Sequence, residues 1–177
     1  VMQDEQPLTA RPEKIPHLKP AFREGGTVTA AKSSSISDGA AALILASAEM
    51  VEAHGLAVRG RMLGHASFAQ APGWFTTAPV YAAQKLLTKI GWQIDDVEIW
   101  EVNEAFAVVP MAFMRELNLS SEIVNIHGGA CALGHPIGAS GARILVSLLN
   151  AMERQEVSRG IAAICLGGGE GVAVAVE

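Results

Sequence analysis

A glycine-rich run at residues 127–143 constrains the fold of this chain more than any other segment. It holds five glycines, two histidines, a cysteine and a proline, a composition that suits neither a core helix nor a core strand. Pro136 pushes the preceding His135 into extended backbone. Apolar residues then recur at helical spacing, so a helix is predicted to start between Gly138 and Ser140. His135 is therefore predicted to lie on a tight loop just before a helix N-terminus.

The predicted position of His135 has a chemical consequence. The amino-terminal end of a helix carries partial positive charge, which favours the neutral imidazole over the imidazolium. A neutral imidazole can accept a proton, and it can donate one N–H to a developing oxyanion. A loop histidine can equally do no more than hydrogen-bond a backbone carbonyl. The residues alone leave both roles open.

Three further segments agree with this run in type and order. They are residues 37–42 (SDGAAA), 103–107 (NEAFA) and 165–171 (CLGGGEG). Together with the histidine run they resemble the thiolase family, and residues 78–83 and 100–106 resemble its short-chain acetoacetyl-CoA branch. The resemblance covers nearly all of the chain but corresponds only to the carboxyl-terminal part of a thiolase. We therefore expect the chain to be a fragment.

The resemblance implies an α/β fold in which a mixed five-stranded sheet of the thiolase type is layered with helices. It assigns residues 1–35 to the end of a loop domain, 36–57 to the last strand and helix of the amino-terminal domain, and 58–177 to the carboxyl-terminal domain. The composition agrees with a layered fold, because half of the residues are hydrophobic but only 5% are aromatic. Hydrophobic patterning and capping residues predict these elements: strands at 40–46, 58–68, 97–103, 123–126, 160–165 and 172–176, and helices at 48–54 and 79–90.

Asn103 is placed where a predicted strand ends and a helix is predicted to open. An asparagine there is a favoured N-cap, which would hydrogen-bond the first turn of the helix. In thiolases the matching asparagine holds a water that joins the catalytic histidine in stabilising a thioester oxyanion. One side chain cannot perform both roles, and the resemblance favours the second.

Cys165 ends a predicted strand beside a glycine turn. From the residues alone, a cysteine near a histidine is either a thiolate nucleophile or a proton shuttle. The resemblance implies that Cys165 is the acid/base for the substrate α-carbon, and that His135 activates a nucleophilic cysteine outside these 177 residues. It also implies that the Gly167 N–H belongs to a second oxyanion hole.

Five residues form the predicted substrate-binding set. Phe22 belongs to a segment that resembles the end of the loop covering coenzyme A, and Ser34 matches a serine along the pantetheine arm. Phe75 lies on a loop, where it either lines a ligand tunnel or packs beneath the loop. Ala105 and Phe106, which follow Asn103, complete the set.

Several classes of function are disfavoured by the sequence. The net charge is −5 and there is no basic run, which argues against nucleic-acid binding. The histidines and two cysteines lack metal-ligand spacing, so neither a metal nor a cofactor is predicted. No apolar run is long enough to span a membrane. The glycine triplet at 167–169 lacks the G-x-G-x-x-G spacing of a dinucleotide site.

The resemblance predicts an acetyl-CoA C-acetyltransferase. The reaction is the reversible Claisen condensation of two acetyl-CoA to acetoacetyl-CoA and coenzyme A, with the coenzyme A thioester as substrate rather than cofactor. We expect the parent enzyme to be a cytoplasmic homodimer or tetramer and the isolated chain to be inactive. The alternatives are a non-catalytic thiolase-fold subunit or dimerisation module, and a 3-ketoacyl-CoA thiolase that prefers longer chains.

Overall fold

The computed structural model describes residues 2–177, which form an α/β fold as expected. The α-helices and strands follow one another in this order: α1 (Glu5–Thr9), α2 (Ala48–His54), β1 (Met62–Ala69), α3 (Ala78–Ile90), β2 (Ile99–Val102), α4 (Val108–Leu117), α5 (Ala130–Leu133), α6 (Ser140–Gln155), β3 (Gly160–Leu166) and β4 (Glu170–Val176). Short 3₁₀ helices occupy Pro12–His17, Ala30–Lys32, Pro72–Thr77 and Ile94–Asp96.

The strands form one mixed sheet in the order β1-β4-β3-β2. Strands β1 and β3 both pair antiparallel with β4, whereas β2 pairs parallel with β3. The β2–β3 register aligns Val102 with Ala163. Because the two strands run in the same direction, the residues that follow each of them meet at one edge of the sheet.

Helices cover both faces of the sheet, and the two faces belong to separate hydrophobic clusters. In β3, Ile161 and Ala163 face the cluster that contains α3 and α4, while Ala162 faces the cluster that contains α6. Strand β4 alternates in the same way, with Ala173 and Val174 on opposite faces. Burial on both faces explains why these strands have nearly continuous apolar sequences.

The sheet has four strands among the described residues, so the expected count of five is wrong. The missing strand is the one predicted at 123–126, where the backbone forms only a single parallel bridge between Val124 and Trp100. Asn125 turns the chain there with φ of 50°. Its side-chain amide takes the place of a strand, since it accepts from Val102 N at 2.7 Å and donates to Val102 O at 2.8 Å.

The strand predicted at 40–46 is also not formed. This segment has no strand partner among the described residues, and its apolar side chains are exposed, with Ile44 at 94% and Leu45 at 81%. A strand requires a neighbour to satisfy its backbone groups. The helix that follows agrees with the prediction, because Ser47 Oγ accepts from Met50 N and Gly55 ends the helix with φ of 58°.

Three helix predictions near the histidine run have different outcomes. Helix α3 begins and ends as expected, and α6 begins at Ser140 within the predicted interval. Helix α4 does not open at Asn103 but at Val108, with Ala107 as its N-cap. The short helix α5, within the glycine-rich run itself, was not predicted.

Large apolar side chains that are exposed lead us to expect self-association. Ile36, Ile44, Leu45 and Ile137 are exposed by 93%, 94%, 81% and 72%. Exposed apolar patches of this kind favour association because burying them removes apolar area from water. We therefore expect light scattering at micromolar concentration to give a mass above 18.5 kDa. A clean monomer across that range contradicts the prediction.

In residues 2–177, no helix is long and apolar enough to cross a membrane.

Candidate functional site

The candidate site lies at the carboxyl ends of the parallel strands β2 and β3. Asn103 directly follows β2, and its backbone N–H donates to Ala163 O at 2.9 Å. Cys165 lies two residues beyond Ala163 on β3, at the same edge of the sheet. The Asn103 side chain is fully buried. Ligands in α/β folds bind at this edge, so the placement agrees with a functional site.

His135 reaches the site from the loop between α5 and α6. Gly134 has φ of 91° and lies against Ser37, whose hydroxyl would collide with any Cβ at that position. This close approach is the reason that only glycine fits before the histidine. The backbone N–H of His135 donates to Ser35 O at 2.9 Å, and this bond fixes the backbone of the loop. The prediction that His135 lies on a tight loop before a helix is confirmed.

A chain of hydrogen bonds connects the buried polar side chains of the site. Arg143 Nη2 donates to Asn103 Oδ1 at 3.1 Å, and Asn103 Nδ2 lies 3.3 Å from His135 Nε2. On the other side of the ring, His135 Nδ1 lies 2.6 Å from Ser140 Oγ, which donates to Pro136 O at 3.0 Å. Asn103 therefore uses its side chain for the histidine and does not cap a helix.

The surroundings of His135 favour the neutral imidazole. Burial lowers the pKa of His135, and the positive charge of Arg143 lowers it further. The direction of this pKa shift agrees with the expectation from the sequence, and burial and a neighbouring cation both cause it. A neutral ring at physiological pH can accept a proton, which an imidazolium cannot.

The thiol of Cys165 is buried, with 7% of the residue exposed. Burial raises its pKa to about 11, against a smaller lowering by a backbone hydrogen bond. The thiol is therefore protonated at neutral pH. A protonated thiol can act as an acid, whereas a thiol that attacks as a nucleophile must first lose its proton, which a high pKa makes unfavourable.

We expect Cys165 to resist alkylation near neutral pH. With a pKa of about 11, only about one thiol in a thousand is ionised at a pH near 8. Cys131 should behave alike, because burial and the charge of Glu104 raise its pKa to about 11 as well. To check this, the rate at which iodoacetamide alkylates each cysteine is measured by mass spectrometry over a range of pH. The rates in the folded chain are compared with those in the chain unfolded in guanidinium. Rapid alkylation of folded Cys165 at neutral pH contradicts it.

A glycine turn follows Cys165 at residues 167–169. Gly169 has φ of 104°, and a Cβ there would collide with Gln70 O. Gly167 is exposed, and its N–H donates to no other described residue. An N–H group in this state remains available to a ligand oxygen.

Residues 33–36 form a short segment that bonds to two loops of the site; we call it the crossing segment. Ser33 pairs with Phe106, and Ser34 donates to Ala105 O from both its backbone N (3.2 Å) and its Oγ (3.0 Å). The same segment pairs with His135 through Ile36. The crossing segment thus joins the loop after Asn103 to the loop that carries His135.

The predicted aromatic residues of the substrate-binding set contact one another. Phe106 lies edge-to-face against Phe22, with 5.5 Å between ring centroids, and against Phe75 at 6.3 Å. Phe22 is 71% exposed, while Phe75 and Phe106 are half-buried. All five members of the predicted set therefore lie around the loop at 105–106.

Glu104 anchors the glycine-rich run that carries His135. Its carboxylate accepts from Cys131 N at 3.0 Å and from Asn125 Nδ2 at 3.0 Å. Gly129 passes so close to this carboxylate that a side chain there would collide with it. Cys131 is half-buried, and its backbone N–H anchors the short helix α5 to Glu104.

Two residues of the site, Ser140 and Arg143, were not singled out from the sequence. Ser140 was identified only as a possible start of α6. Both lie in the first turn of that helix, three residues apart and therefore on one face. The sequence signal that could have found Arg143 is a basic residue in the first turn of a helix, where the helix dipole favours acidic residues.

The sequence matches a known protein family over most of its length. The family model for the thiolase C-terminal domain matches residues 56–177, and the family model for the thiolase N-terminal domain matches residues 1–49. The acetyl-CoA acetyltransferase of Pseudomonas aeruginosa is 47% identical over 172 residues, which cover 97% of this chain and 44% of that protein.

Solved structures agree in fold as well as in sequence. The acetyl-CoA acetyltransferase of Bacillus anthracis has a TM-score of 0.94 at 42% identity, covering 99% of this chain and 45% of that one. The Acat5 thiolase of Ascaris suum, in complex with coenzyme A, has a TM-score of 0.90 at 41% identity, covering 100% of this chain and 46% of that one. The chain thus spans less than half the length of these relatives. On the match of its sequence and fold, the chain belongs to the thiolase family.

Proposed function

We propose that the chain supplies the acid/base half of an acetyl-CoA C-acetyltransferase site. The carrying observation is that Asn103, whose side chain lies 3.3 Å from the His135 ring, and the buried thiol of Cys165 lie at the carboxyl ends of adjacent parallel strands. The proposed reaction is the reversible condensation of two acetyl-CoA to acetoacetyl-CoA and coenzyme A. The nucleophile is a cysteine outside these 177 residues.

His135 acts first as a base in this proposal. Its Nε2 takes the proton of the nucleophilic thiol, which then attacks the thioester carbonyl and becomes acetylated as coenzyme A leaves. Once protonated, the same nitrogen donates to the thioester oxygen as negative charge develops there. Asn103 stabilises that charge through a bound water. Fixed donors of this kind contribute about 3 kcal/mol each to the transition state.

Cys165 handles the proton of the α-carbon. In thiolysis, the bond between the α-carbon and the acyl carbon breaks, and the departing carbon takes the Cys165 proton. The resulting thiolate then removes the proton of the incoming coenzyme A. The high pKa of Cys165 supports this role, because the resting thiol already holds the proton that thiolysis requires. The Gly167 N–H faces the second developing oxyanion.

The substrate side of the proposal concerns the loop at 105–106. Phe22, Phe75 and Phe106 offer an apolar surface to the pantetheine arm of a coenzyme A thioester, with Ser34 and Ala105 beside it. The relative from Ascaris suum, solved with coenzyme A, supports this substrate class. A homodimeric or tetrameric, cytoplasmic parent enzyme is part of the same proposal.

A chimera tests the proposed function. In it, this chain replaces the matching part of the acetyl-CoA acetyltransferase of Pseudomonas aeruginosa, which is 47% identical. Two activities are measured: thiolysis of acetoacetyl-CoA, and exchange of labelled coenzyme A into acetyl-CoA, which requires no carbon–carbon bond change. We expect the chimera to perform both. The Cys165→Ala variant should lose thiolysis but keep exchange, because only thiolysis leaves Cys165 as a thiolate by protonating the α-carbon, whereas in exchange His135 can carry the protons of both thiols.

Several outcomes would reject all or part of this proposal. A folded chimera without either activity favours the non-catalytic thiolase-fold module. Faster thiolysis of longer 3-ketoacyl-CoA substrates favours the long-chain thiolase. Turnover by the 177-residue chain alone that is lost on Cys165→Ala would make Cys165 the nucleophile and overturn the assignment of roles.

A further inference from the structure

We propose that Arg143 is a positioning residue, which fixes the ring proton of His135 on Nδ1 through the side-chain amide of Asn103. Arg143 lies in the first turn of α6 and is 18% exposed. Its guanidinium can only donate hydrogen bonds, so its contacts have one direction. The catalytic meaning of this arrangement rests on the proposed function, whereas the position of the proton does not.

Arg143 first decides how the Asn103 amide is oriented. Arg143 Nη2 lies 3.1 Å from Asn103 Oδ1, and a donor-only group must face the oxygen of the amide. The amide nitrogen Nδ2 then points to His135 Nε2, 3.3 Å away. Because Nδ2 has only hydrogens to offer, Nε2 must accept. The ring proton is therefore excluded from Nε2.

Ser140 completes the arrangement on the other side of the ring. Its Oγ donates to Pro136 O at 3.0 Å and can accept from His135 Nδ1, 2.6 Å away. Pro136 O also accepts from the backbone N–H groups of Ala139 and Ser140, so the hydroxyl can rotate and donate to Nδ1 when the ring proton moves. Arg143 and Asn103 therefore select the tautomer, and Ser140 adapts to it.

The opposite tautomer is unfavourable because it would set donors against each other. A proton on His135 Nε2 would require Asn103 to present Oδ1 to the ring. Asn103 Nδ2 would then take the place of Oδ1 and lie about 3.1 Å from Arg143 Nη2, so that two donors would face each other. Buried donors without acceptors cost about 1–3 kcal/mol each.

Glu101 stabilises the largely buried positive charge of Arg143. It is 1% exposed, and its Oε2 lies 4.0 Å from Arg143 Nη1. Burial raises the pKa of Glu101 to about 7, so in mildly alkaline buffer its carboxylate is ionised and supplies a counter-charge, to which Glu104 adds its own negative charge. Arg143 is thereby held against Asn103 without contacting substrate. Its effect on the reaction passes through Asn103 to His135, whose unprotonated Nε2 is the base of the proposed function.

Nitrogen NMR of the 177-residue chain tests the inference directly. The chain is labelled with ¹⁵N-histidine and measured by magic-angle spinning in mildly alkaline buffer, which works for monomers and associated chains alike. His135 is identified as the signal lost in His135→Asn. We expect a one-bond N–H correlation at Nδ1 and none at Nε2. Arg143→Met should produce an Nε2–H correlation, and Arg143→Lys, which keeps a donor-only cation, should restore the original pattern.

Control variants separate this effect from a general loss of structure. Arg154→Met removes an exposed arginine from the same helix and should leave the His135 signals unchanged. If Arg143→Met does not fold, the isosteric variant Asn103→Asp is measured instead. It should show an Nε2–H correlation, because a carboxylate oxygen that faces the ring requires a proton on Nε2. An Nε2–H correlation in the unsubstituted chain, or its absence from folded Arg143→Met or Asn103→Asp, overturns the proposal. An inactive chimera with the expected spectra would reject the proposed function and leave the tautomer assignment intact.

Discussion

Replacing His135 with asparagine in the chimera is expected to lower kcat/KM for thiolysis of acetoacetyl-CoA by about 10²–10⁴-fold. An amide cannot take the thiol proton, so the nucleophile stays protonated and both half-reactions slow. Exchange of labelled coenzyme A should fall with thiolysis, which distinguishes His135 from Cys165. The loss should exceed that of Cys165→Ala in the exchange assay, where the α-carbon proton plays no part.

The matched control for this variant lies in the same glycine-rich run. His127 is exposed, and His127→Asn introduces the residue type that thiolases commonly carry there. We expect this variant to keep both activities within about twofold, because it touches neither Asn103 nor the bonds of the His135 ring. Equal losses in the two variants would show that asparagine disturbs the loop as a whole, and His135 would then lose its assignment as the base.

Replacing Trp100 with alanine is expected to lower the free energy of unfolding by about 3–5 kcal/mol. Trp100 is fully buried in the centre of β2, and its ring packs edge-to-face on Phe113 with 5.4 Å between centroids. Removing it opens a cavity between the sheet and α4. Urea unfolding followed by circular dichroism, at one protein concentration for all variants, measures the change.

Trp74 provides the matched control for the stability measurement. It is 66% exposed on the 3₁₀ helix Pro72–Thr77, and its hydrogen bonds to Gln70, Ala71 and Thr77 involve only its backbone atoms. Trp74→Ala should therefore change the free energy of unfolding by no more than about 0.5 kcal/mol. A similar loss in both variants would mean that tryptophan removal acts through the unfolded chain rather than through packing at Trp100.

Local sequence signals predicted those elements whose ends are set by neighbouring residues. Ser47 and Gly55 cap α2, Pro79 and Gly91 bound α3, and Pro136 separates His135 from α6, as the structure confirms. Each of these boundaries depends on backbone preferences within a few residues. The thiolase resemblance then supplied the order of the layers, which periodicity alone does not specify.

Contacts between distant residues decided the elements that were predicted wrongly. Residues 123–126 have the composition of a strand, yet the Asn125 side chain replaces most of the pairing with Val102. Asn103 has the composition of an N-cap, yet its side chain is held by His135 and Arg143, 32 and 40 residues away. The importance of Arg143 was missed for the same reason, since its role depends on where Asn103 lies in space.

The crossing segment at residues 33–36 couples the solvent exposure of two loops. Its bonds to Ala105 O and to the backbone N–H of His135 are formed by the adjacent residues Ser34 and Ser35. When the crossing segment detaches, the bonds to both loops break together. The amide protons of Ala107 and His135, which donate to Lys32 O and Ser35 O, should therefore exchange with solvent through a single opening event and at correlated rates.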